Sequence, residues 1–239
     1  EANRRLNKTS AMMYGSSAGV TELTDAIASR LNDKYRTRID RSNVLIFPGA
    51  RFAIFAAIRS TVSTLERVVL CQPAWPAYES CVAFAGGRTL AVPTSLEDHW
   101  DIDLTALEET LRLGPKMVVL NNPNNPTGTV FTKEELQQVA SVAIKHDLLV
   151  VADEIYNEFI WGGRNHSAIA TIAGMRERTI VIQSFSKTFA MTGWRLGYII
   201  APSALIDQIE KLQGNSALCP NASVQMAGVA ALTGPWKPI

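Results

Sequence analysis

Cysteine is scarce in this sequence, and its pattern excludes a disulfide-stabilised scaffold. Among 239 residues there are three cysteines, Cys71, Cys81 and Cys219, which are odd in number and lie in apolar stretches. Secreted proteins that depend on disulfides usually carry an even and denser set. We therefore interpret these residues as reduced thiols in the core of an intracellular, cytoplasmic protein.

Histidine is equally rare, and metal-binding patterns are missing. His99, His146 and His166 are scattered without the spacing that zinc sites use. No metal centre is therefore expected, and each histidine is interpreted as a surface or helix-end residue. The sequence also lacks a G-x-G-x-x-G segment, so dinucleotide binding is not indicated.

Strong charge and long apolar runs are absent as well. The formal net charge is +1 and no block of like charges occurs, so neither nucleic acid nor an anionic membrane is an expected partner. No apolar run approaches the roughly 20 residues that cross a bilayer. The first ten residues, EANRRLNKTS, are polar and do not resemble a signal peptide.

What the sequence does contain is a regular alternation of short apolar runs and helical patterns. Strands are predicted at 43–47, 67–71, 88–93, 116–122, 148–154, 179–185 and 196–201. Helices are predicted at 19–35, 51–65, 77–87, 103–113, 132–147, 203–213 and 224–232. Strands that alternate with helices of about 10–15 residues indicate βα units. We therefore predict a three-layer α/β/α fold with a mainly parallel, seven-stranded sheet.

The residues at the strand ends decide what such a sheet can bind, because ligands lie beyond the carboxyl ends of the strands. Asp153 ends the run LLVVAD, which carries no other charge. It is either a capping residue or a buried carboxylate that needs a cationic partner, such as a protonated heterocycle. The loop NNPNNPTG at 121–128 is either a plain connection or a source of amide donors. Trp75 is either a core aromatic or a plate that stacks on a flat ring.

A lone lysine, Lys187, follows a predicted strand and is flanked by hydroxyl groups. Ser184, Ser186 and Arg195 offer two hydroxyls and a planar guanidinium, which suit a phosphate. The turn at 49–51 begins a predicted helix, whose backbone N–H groups also suit a phosphate. Pyridoxal 5′-phosphate would use all of these groups, because it has a ring nitrogen, a flat face, a phosphate and an aldehyde that condenses with lysine.

The motifs at these strand ends resemble those of the class I/II aminotransferases, a group within the fold type I family of pyridoxal-phosphate enzymes. They occur in the family's order and span most of the chain. They are YGSSAG (14–19), PGAR (48–51), PAWPAY (73–78), NNPNNPTG (121–128), ADEIY (152–156) and SFSKTFAMTGWRLGY (184–198).

The resemblance implies a role for each matching residue around the cofactor ring. Lys187 would form the aldimine with the cofactor and act as the general base, and Asp153 would pair with the pyridinium nitrogen. Asn125 and Tyr156 would hydrogen-bond the phenolic oxygen, and Trp75 would stack on the ring. Lys187, Asp153 and Tyr156 are therefore the predicted catalytic residues.

The resemblance also implies how the phosphate is held. The residues expected to contact it through backbone or side chain are Ala50, Arg51, Ser184, Ser186 and Arg195. A further residue, Tyr14, would reach the phosphate of the neighbouring subunit, which implies a homodimer with shared sites.

The implied activity is transfer of an amino group between an L-amino acid and a 2-oxo acid. Relatives with the same cofactor site act as carbon–sulfur lyases, decarboxylases or synthases, and transaminase-like domains also serve as non-catalytic effector-binding modules, so these remain alternatives. The implied organisation is an N-terminal lead at 1–13 and a large cofactor-binding domain at 14–239. A smaller C-terminal domain, which would carry the arginine for the substrate carboxylate, is expected to be largely missing.

Overall fold

Seven strands form the sheet that the sequence predicts. The computed structural model describes residues 14–236. The strands are Val44–Phe47 (β1), Arg67–Gln72 (β2), Arg88–Pro93 (β3), Met117–Asn121 (β4), Leu149–Asp153 (β5), Thr179–Ser184 (β6) and Gly197–Ile200 (β7). Their order in the sheet is β1-β7-β6-β5-β4-β2-β3, and β1 pairs with β7 in the antiparallel sense. The predicted three-layer α/β fold with a mainly parallel, seven-stranded sheet is thereby confirmed.

The predicted helices occur in the predicted order; the first five are shorter than predicted, the last two are slightly longer, and the short helix Phe185–Thr188 was not predicted. Within residues 14–236 they are Thr21–Tyr35 (α1), Ala50–Thr61 (α2), Ala77–Phe84 (α3), Leu104–Leu111 (α4), Lys133–Lys145 (α5), Phe185–Thr188 (α6), Ser203–Gly214 (α7) and Ala222–Thr233 (α8), apart from short 3₁₀ turns. The helix predicted at 51–65 ends at Thr61, and it cannot extend to Leu65, because that residue adopts a left-handed φ of 69°. In the described part of the chain, no helix combines the length and apolar character needed to span a membrane.

The chain divides into two compact units, of which unit two comprises Ile54–Ile182. Strands β2 to β5 and the first part of β6 pair in parallel within it. Strand β4 is buried throughout, and β5 is buried beyond its first residue, because both consist almost wholly of apolar side chains. The register places Asn121, the last residue of β4, opposite Asp153, the last residue of β5. Two predicted site segments therefore begin side by side.

Unit one comprises residues 14–53 and 183–236 of the described chain, and the lead predicted at 1–13 lies outside the described residues. Two glutamine side chains hold its first segment in place. The amide of Gln213 donates to the carbonyl oxygens of Ser17 and Ile46, at 2.6 and 2.7 Å. The side-chain oxygen of Gln225 accepts the N–H of Val20 at 2.7 Å. Because both glutamines are buried, these bonds fix the YGSSAG segment to the body of unit one.

Candidate active site

Asp153 is the centre of the predicted site residues in unit two. The residue is only 1% exposed. Its Oδ2 accepts a hydrogen bond from the hydroxyl of Tyr78 at 2.7 Å, and its Oδ1 accepts one from the backbone N–H of Ile155 at 3.3 Å. Within unit two, no lysine, arginine or histidine forms a salt bridge with this carboxylate. The interpretation of Asp153 as a buried carboxylate is therefore confirmed, and the cation that would balance its charge is not a side chain of unit two.

Burial controls the protonation of this carboxylate. Removal from water raises the pKa of Asp153 from 3.8 to about 6, although the hydrogen bonds from Tyr78 and the Ile155 N–H act in the opposite direction. Burial, together with the charge of Asp153, also raises the pKa of Tyr78 well above its usual value. Tyr78 therefore stays protonated at neutral pH and remains a hydrogen-bond donor to the carboxylate.

Tyr78 is a site residue that the sequence analysis did not assign. It belongs to the motif PAWPAY and follows Trp75 by three positions, about one helical turn. The two rings meet edge to face, with centroids 5.5 Å apart and an interplanar angle of 88°. Trp75 is half-buried, so part of its surface is open to a ligand. The sequence did offer one signal for Tyr78: it stands three positions after Trp75, a spacing that puts both rings on one face of α3 and its N-terminal turn.

The loop 121–128 is held in shape by its own amides. The side chain of Asn121 donates to the backbone oxygen of Asp153 at 3.0 Å and accepts the backbone N–H of Asn125 at 2.7 Å. The side chain of Asn124 donates to the hydroxyl of Thr127 at 2.8 Å. The loop is thus an ordered extension of β4, and the hydrogen bonds of Asn121 connect Asn125 to the end of β5.

Two predicted residues of unit two share an open cavity. Asn125 and Tyr156 both line a space of about 550 Å³. The remaining wall is largely apolar and includes Phe159 and Trp161, whose ring centroids lie 6.3 Å apart. The structure therefore brings together the two side chains that the resemblance assigns to the phenolic oxygen of the cofactor.

His166 is not a surface residue, so the prediction for this histidine is wrong. Its side chain is 2% exposed. The ring is buried because its Nε2 has polar partners inside unit two, namely the backbone oxygen of Asn122 at 3.2 Å and Oε2 of Glu154 at 4.0 Å. His99, by contrast, is exposed, and His146 caps the end of α5, as predicted.

In unit one, β6 leads directly into the short helix that carries the lysine. The hydroxyl oxygen of Ser184 accepts the backbone N–H of Ser186 at 3.1 Å and so caps this helix. The same hydroxyl donates to the backbone oxygen of Leu196 at 3.2 Å. Ser184 therefore already uses its proton within the fold, whereas Ser186 contributes only its N–H to these bonds. Lys187 follows on the helix and is half-buried.

Arg195 lies against the turn that begins α2. The guanidinium donates to the backbone oxygen of Thr192 at 2.9 Å. Gly49 has a φ of +92°, and a β-carbon there would lie 2.4 Å from an Nη atom of Arg195. Gly197 has a similar function, because its β-carbon would lie 2.8 Å from the backbone nitrogen of Ala50. The absence of both β-carbons brings a cation and the N-terminus of a 12-residue helix together, which is a favourable arrangement for an anion.

We expect Gly49→Ala to weaken anion binding at this turn. The new methyl group would force Arg195 away and impose a backbone conformation that L-residues rarely adopt, at a cost of about 1–3 kcal/mol. Isothermal titration with inorganic phosphate and thermal unfolding would measure both effects. Gly114→Ala is the matched control, because Gly114 also has a positive φ of 67° but has no atom within 4 Å of the added carbon. Equal phosphate affinity in the two variants would contradict the prediction.

Comparison with known proteins points to one family, the aminotransferases of class I and II. The sequence pattern of the family described as aminotransferase class I and II matches residues 1–237. An aspartate aminotransferase of Pyrococcus abyssi is 37% identical over 229 residues, which are 95% of this chain and 59% of that protein. Aromatic-amino-acid aminotransferase 2 of Thermococcus litoralis is 34% identical over 220 residues, covering 92% of this chain and 57% of that protein.

Solved structures agree with the sequence relatives. The crystal structure of an aromatic aminotransferase from Pyrococcus horikoshii OT3 superposes with a TM-score of 0.95 at 37% identity, over 99% of this chain and 64% of that one. An aspartate aminotransferase from Thermus thermophilus with maleate gives 0.92 at 31% identity, over 97% and 60%. The chain thus spans about three fifths of the length of the relatives it matches.

Proposed function

Because this chain belongs to the class I and II aminotransferase family, we propose that the protein transfers an amino group from an L-amino acid to a 2-oxo acid. The family depends on pyridoxal 5′-phosphate. The observation that carries the proposal is the buried Asp153 carboxylate, which has no cationic side chain of unit two to balance it. A protonated pyridine nitrogen is a cation that fits this environment.

The residues of unit two fit one side of this cofactor. When bound, pyridoxal 5′-phosphate supplies an electron sink that makes the Cα–H bond of an amino acid more acidic. Asp153 would keep a proton on the ring nitrogen, because a nearby carboxylate raises the pKa of a base. Tyr78 would hold that carboxylate in position. Asn125 and Tyr156 would hydrogen-bond the phenolic oxygen, and Trp75 would cover a face of the ring.

The residues of unit one fit the aldehyde and the phosphate. Lys187 would bind the aldehyde carbon covalently and, once released, would accept the Cα proton as general base. Arg195, the hydroxyl of Ser186 and the backbone N–H groups of Ala50 and Arg51 would hold the phosphate. The contact between Arg195 and Gly49 supports this assignment, because it brings a guanidinium to the start of α2. Ser184 was also predicted to donate to the phosphate, and we propose that it acts mainly by capping α6.

A product-balance assay tests the activity. The protein with cofactor would be incubated with 2-oxoglutarate and a panel that includes aspartate and phenylalanine, since relatives carry both specificities in their names. Amino transfer predicts one new 2-oxo acid for each glutamate formed. Release of sulfide or carbon dioxide instead would favour the lyase or decarboxylase alternatives. Cofactor binding with no turnover of any substrate would favour an effector-binding module.

We also propose a homodimer in which Tyr14 completes the phosphate site of the partner subunit. Tyr14 is 92% exposed, yet the segment that follows it is fixed by the two buried glutamines of unit one. The resemblance assigns this tyrosine to the neighbouring subunit, and an exposed side chain on an anchored segment is free to take that role.

Mixed dimers test whether Tyr14 acts across the subunits. Tyr14→Phe should weaken cofactor binding by about 10-fold, the loss expected for a hydrogen bond to a charged group. Tyr14→Phe and Lys187→Ala protomers, co-purified with different tags, should form dimers in which half of the sites are fully native. Titration with cofactor should then find one site per dimer that binds with normal affinity and that borohydride reduction links covalently to the cofactor. Finding none would contradict the shared site.

We further propose that the protein is cytoplasmic. The support is that Cys71, Cys81 and Cys219 form no disulfide in the described part of the chain. Burial raises the pKa of Cys71 to about 12, so this thiol is unreactive at neutral pH. Reduced thiols of this kind are usual in reducing compartments. That residues 14–239 form one large cofactor-binding domain is likewise a proposal.

A further inference from the structure

A second buried group of ionisable side chains lies next to the carboxylate site of unit two. The side chains of His166 and Glu154 are 2% and 3% exposed, and Nε2 of the histidine lies 4.0 Å from Oε2 of the glutamate. The same nitrogen lies 3.2 Å from the backbone oxygen of Asn122. Glu154 directly follows Asp153, and Asn122 directly follows Asn121. The group therefore adjoins the site but is not one of the residues assigned to the cofactor.

The geometry fixes the tautomer of this histidine. A carbonyl oxygen can only accept a hydrogen bond, so the contact with Asn122 requires the proton to be on Nε2 of His166. The Glu154 carboxylate, which faces the same nitrogen, stabilises a donor at this position. The glutamate therefore orients the imidazole toward the Asn122 peptide.

Asn122 connects several segments of unit two. Its backbone N–H donates to the backbone oxygen of Asp153 at 3.0 Å. Its side-chain oxygen accepts the N–H of Phe131 at 3.0 Å, and its side-chain nitrogen donates to the backbone oxygen of Ser167 at 3.3 Å. His166 adds a bond to the backbone oxygen. All the polar groups of Asn122 are thus engaged, and its position is tightly determined.

We propose that His166, oriented by Glu154, is a positioning residue for the cofactor-binding side of unit two. The inference rests on the proposed function. The path is short: His166 fixes the Asn122 peptide, and the neighbouring Asn121 side chain bonds both Asn125 and the end of β5 at Asp153. Loss of the histidine donor would leave the Asn122 oxygen unpaired inside the protein and loosen these connections.

Two amide substitutions of His166 provide a matched test. In His166→Gln the side-chain nitrogen reaches the place of Nε2 and can still donate to Asn122, whereas in His166→Asn it is one methylene too short. We expect the dissociation constant for pyridoxal 5′-phosphate to rise about 10- to 100-fold in the Asn variant and less than about 3-fold in the Gln variant. Binding would be measured by absorbance, at a temperature well below the melting temperature of the less stable variant. His146→Leu, at the end of α5, should bind like the wild type.

Glu154→Gln keeps the test decisive if His166→Asn does not fold. This change removes the carboxylate that faces Nε2 of His166 but preserves the size of the side chain, so cofactor affinity should fall several-fold in a variant that thermal unfolding, measured in parallel, shows to be folded. A purely structural role would not separate these two readouts. Unchanged cofactor affinity in Glu154→Gln, or in a folded His166→Asn, would overturn the proposal.

A cofactor-free measurement separates failure of this inference from failure of the proposed function. If the wild type does not bind pyridoxal 5′-phosphate, the proposed function is wrong, but the positioning role can still be tested by hydrogen exchange. The amides of residues 121–131 should exchange faster in His166→Asn than in His166→Gln. Equal exchange in both variants would overturn the positioning role itself.

Discussion

Replacing Lys187 by alanine is expected to abolish amino transfer, with a loss of at least about 10³-fold. The substitution would remove both the proposed point of covalent attachment of the cofactor and the proposed base for the Cα proton, and general-base catalysis alone contributes about 10²–10⁴-fold. The rate of 2-oxo acid formation measures the loss. Borohydride trapping followed by peptide mass analysis adds a direct readout, since the cofactor mass should appear on the Lys187 peptide of the wild type and be missing from the variant.

The control for this prediction is a lysine outside the site. Lys145 lies at the end of α5 and forms a surface salt bridge with Glu108 at 3.2 Å. Exposed pairs of this kind contribute little, so Lys145→Ala should retain activity and the trapped adduct. If Lys187→Ala retained either the adduct or substantial turnover, the assignment of the lysine would be wrong.

Asp153→Asn is expected to lower the activity and to raise the stability of the cofactor-free protein. The side-chain oxygen of asparagine still accepts the hydrogen bond from Tyr78, but its amide nitrogen can neither accept the Ile155 N–H nor balance a protonated ring nitrogen. Amino transfer should fall by at least about 100-fold, the usual scale for loss of a preorganised electrostatic contact. The cofactor-free variant, however, no longer buries a charge and should be more stable than the wild type at neutral pH.

The pH dependence of this gain follows from the pKa of Asp153. The pKa rises from 3.8 to about 6 on folding, so the folded state binds the proton more tightly than the unfolded state. The wild type therefore loses stability as the pH rises from about 4 to about 6, and the full penalty of about 3 kcal/mol is present above that range. Denaturant unfolding of the cofactor-free proteins should show the largest difference near neutral pH and almost none near pH 4.

A second aspartate of unit two provides the comparison. Asp147 precedes β5, is exposed and pairs with Arg178 at 2.8 Å, which lowers its pKa. Asp147→Asn should therefore leave activity unchanged and should not stabilise the protein. Equal unfolding midpoints for the wild type and Asp153→Asn at neutral pH would show that burial of this carboxylate carries no cost.

The sheet was predictable from sequence because each strand is a short run of apolar, often β-branched residues. Helix ends were less predictable. The pattern at 51–65 continues past the true end at Thr61, and the left-handed φ of Leu65, whose N–H donates to the distant backbone oxygen of Gly86, shows that the chain has left the helix by that residue. Local caps are encoded by nearby residues: the side chain of Asp103 caps α4, and Thr132 and Glu135 form a capping box at the start of α5.

The site residues also divide into two groups: those marked by a local motif could be predicted, and those defined by contacts with distant residues could not. The strand ends and their loops were identified from motifs, and burial was one of the two interpretations given for Asp153. Tyr78 and His166 could not be placed, because their partners are far away in the chain. Tyr78 lies 75 positions from Asp153, and His166 lies 44 positions from Asn122. A single sequence gives no periodic signal for such contacts.

The bond between Tyr78 and Asp153 also bears on how the protein is made. Helix α3 leaves the ribosome 75 residues before the carboxylate that its tyrosine contacts, a delay of roughly 4–15 s at about 5–20 residues per second. Lys187 emerges later still. A nascent chain can therefore hold neither the Tyr78–Asp153 hydrogen bond nor the amine of Lys187 until residue 187 has been translated, so on the proposed function the vitamin-derived aldehyde is captured only after that point.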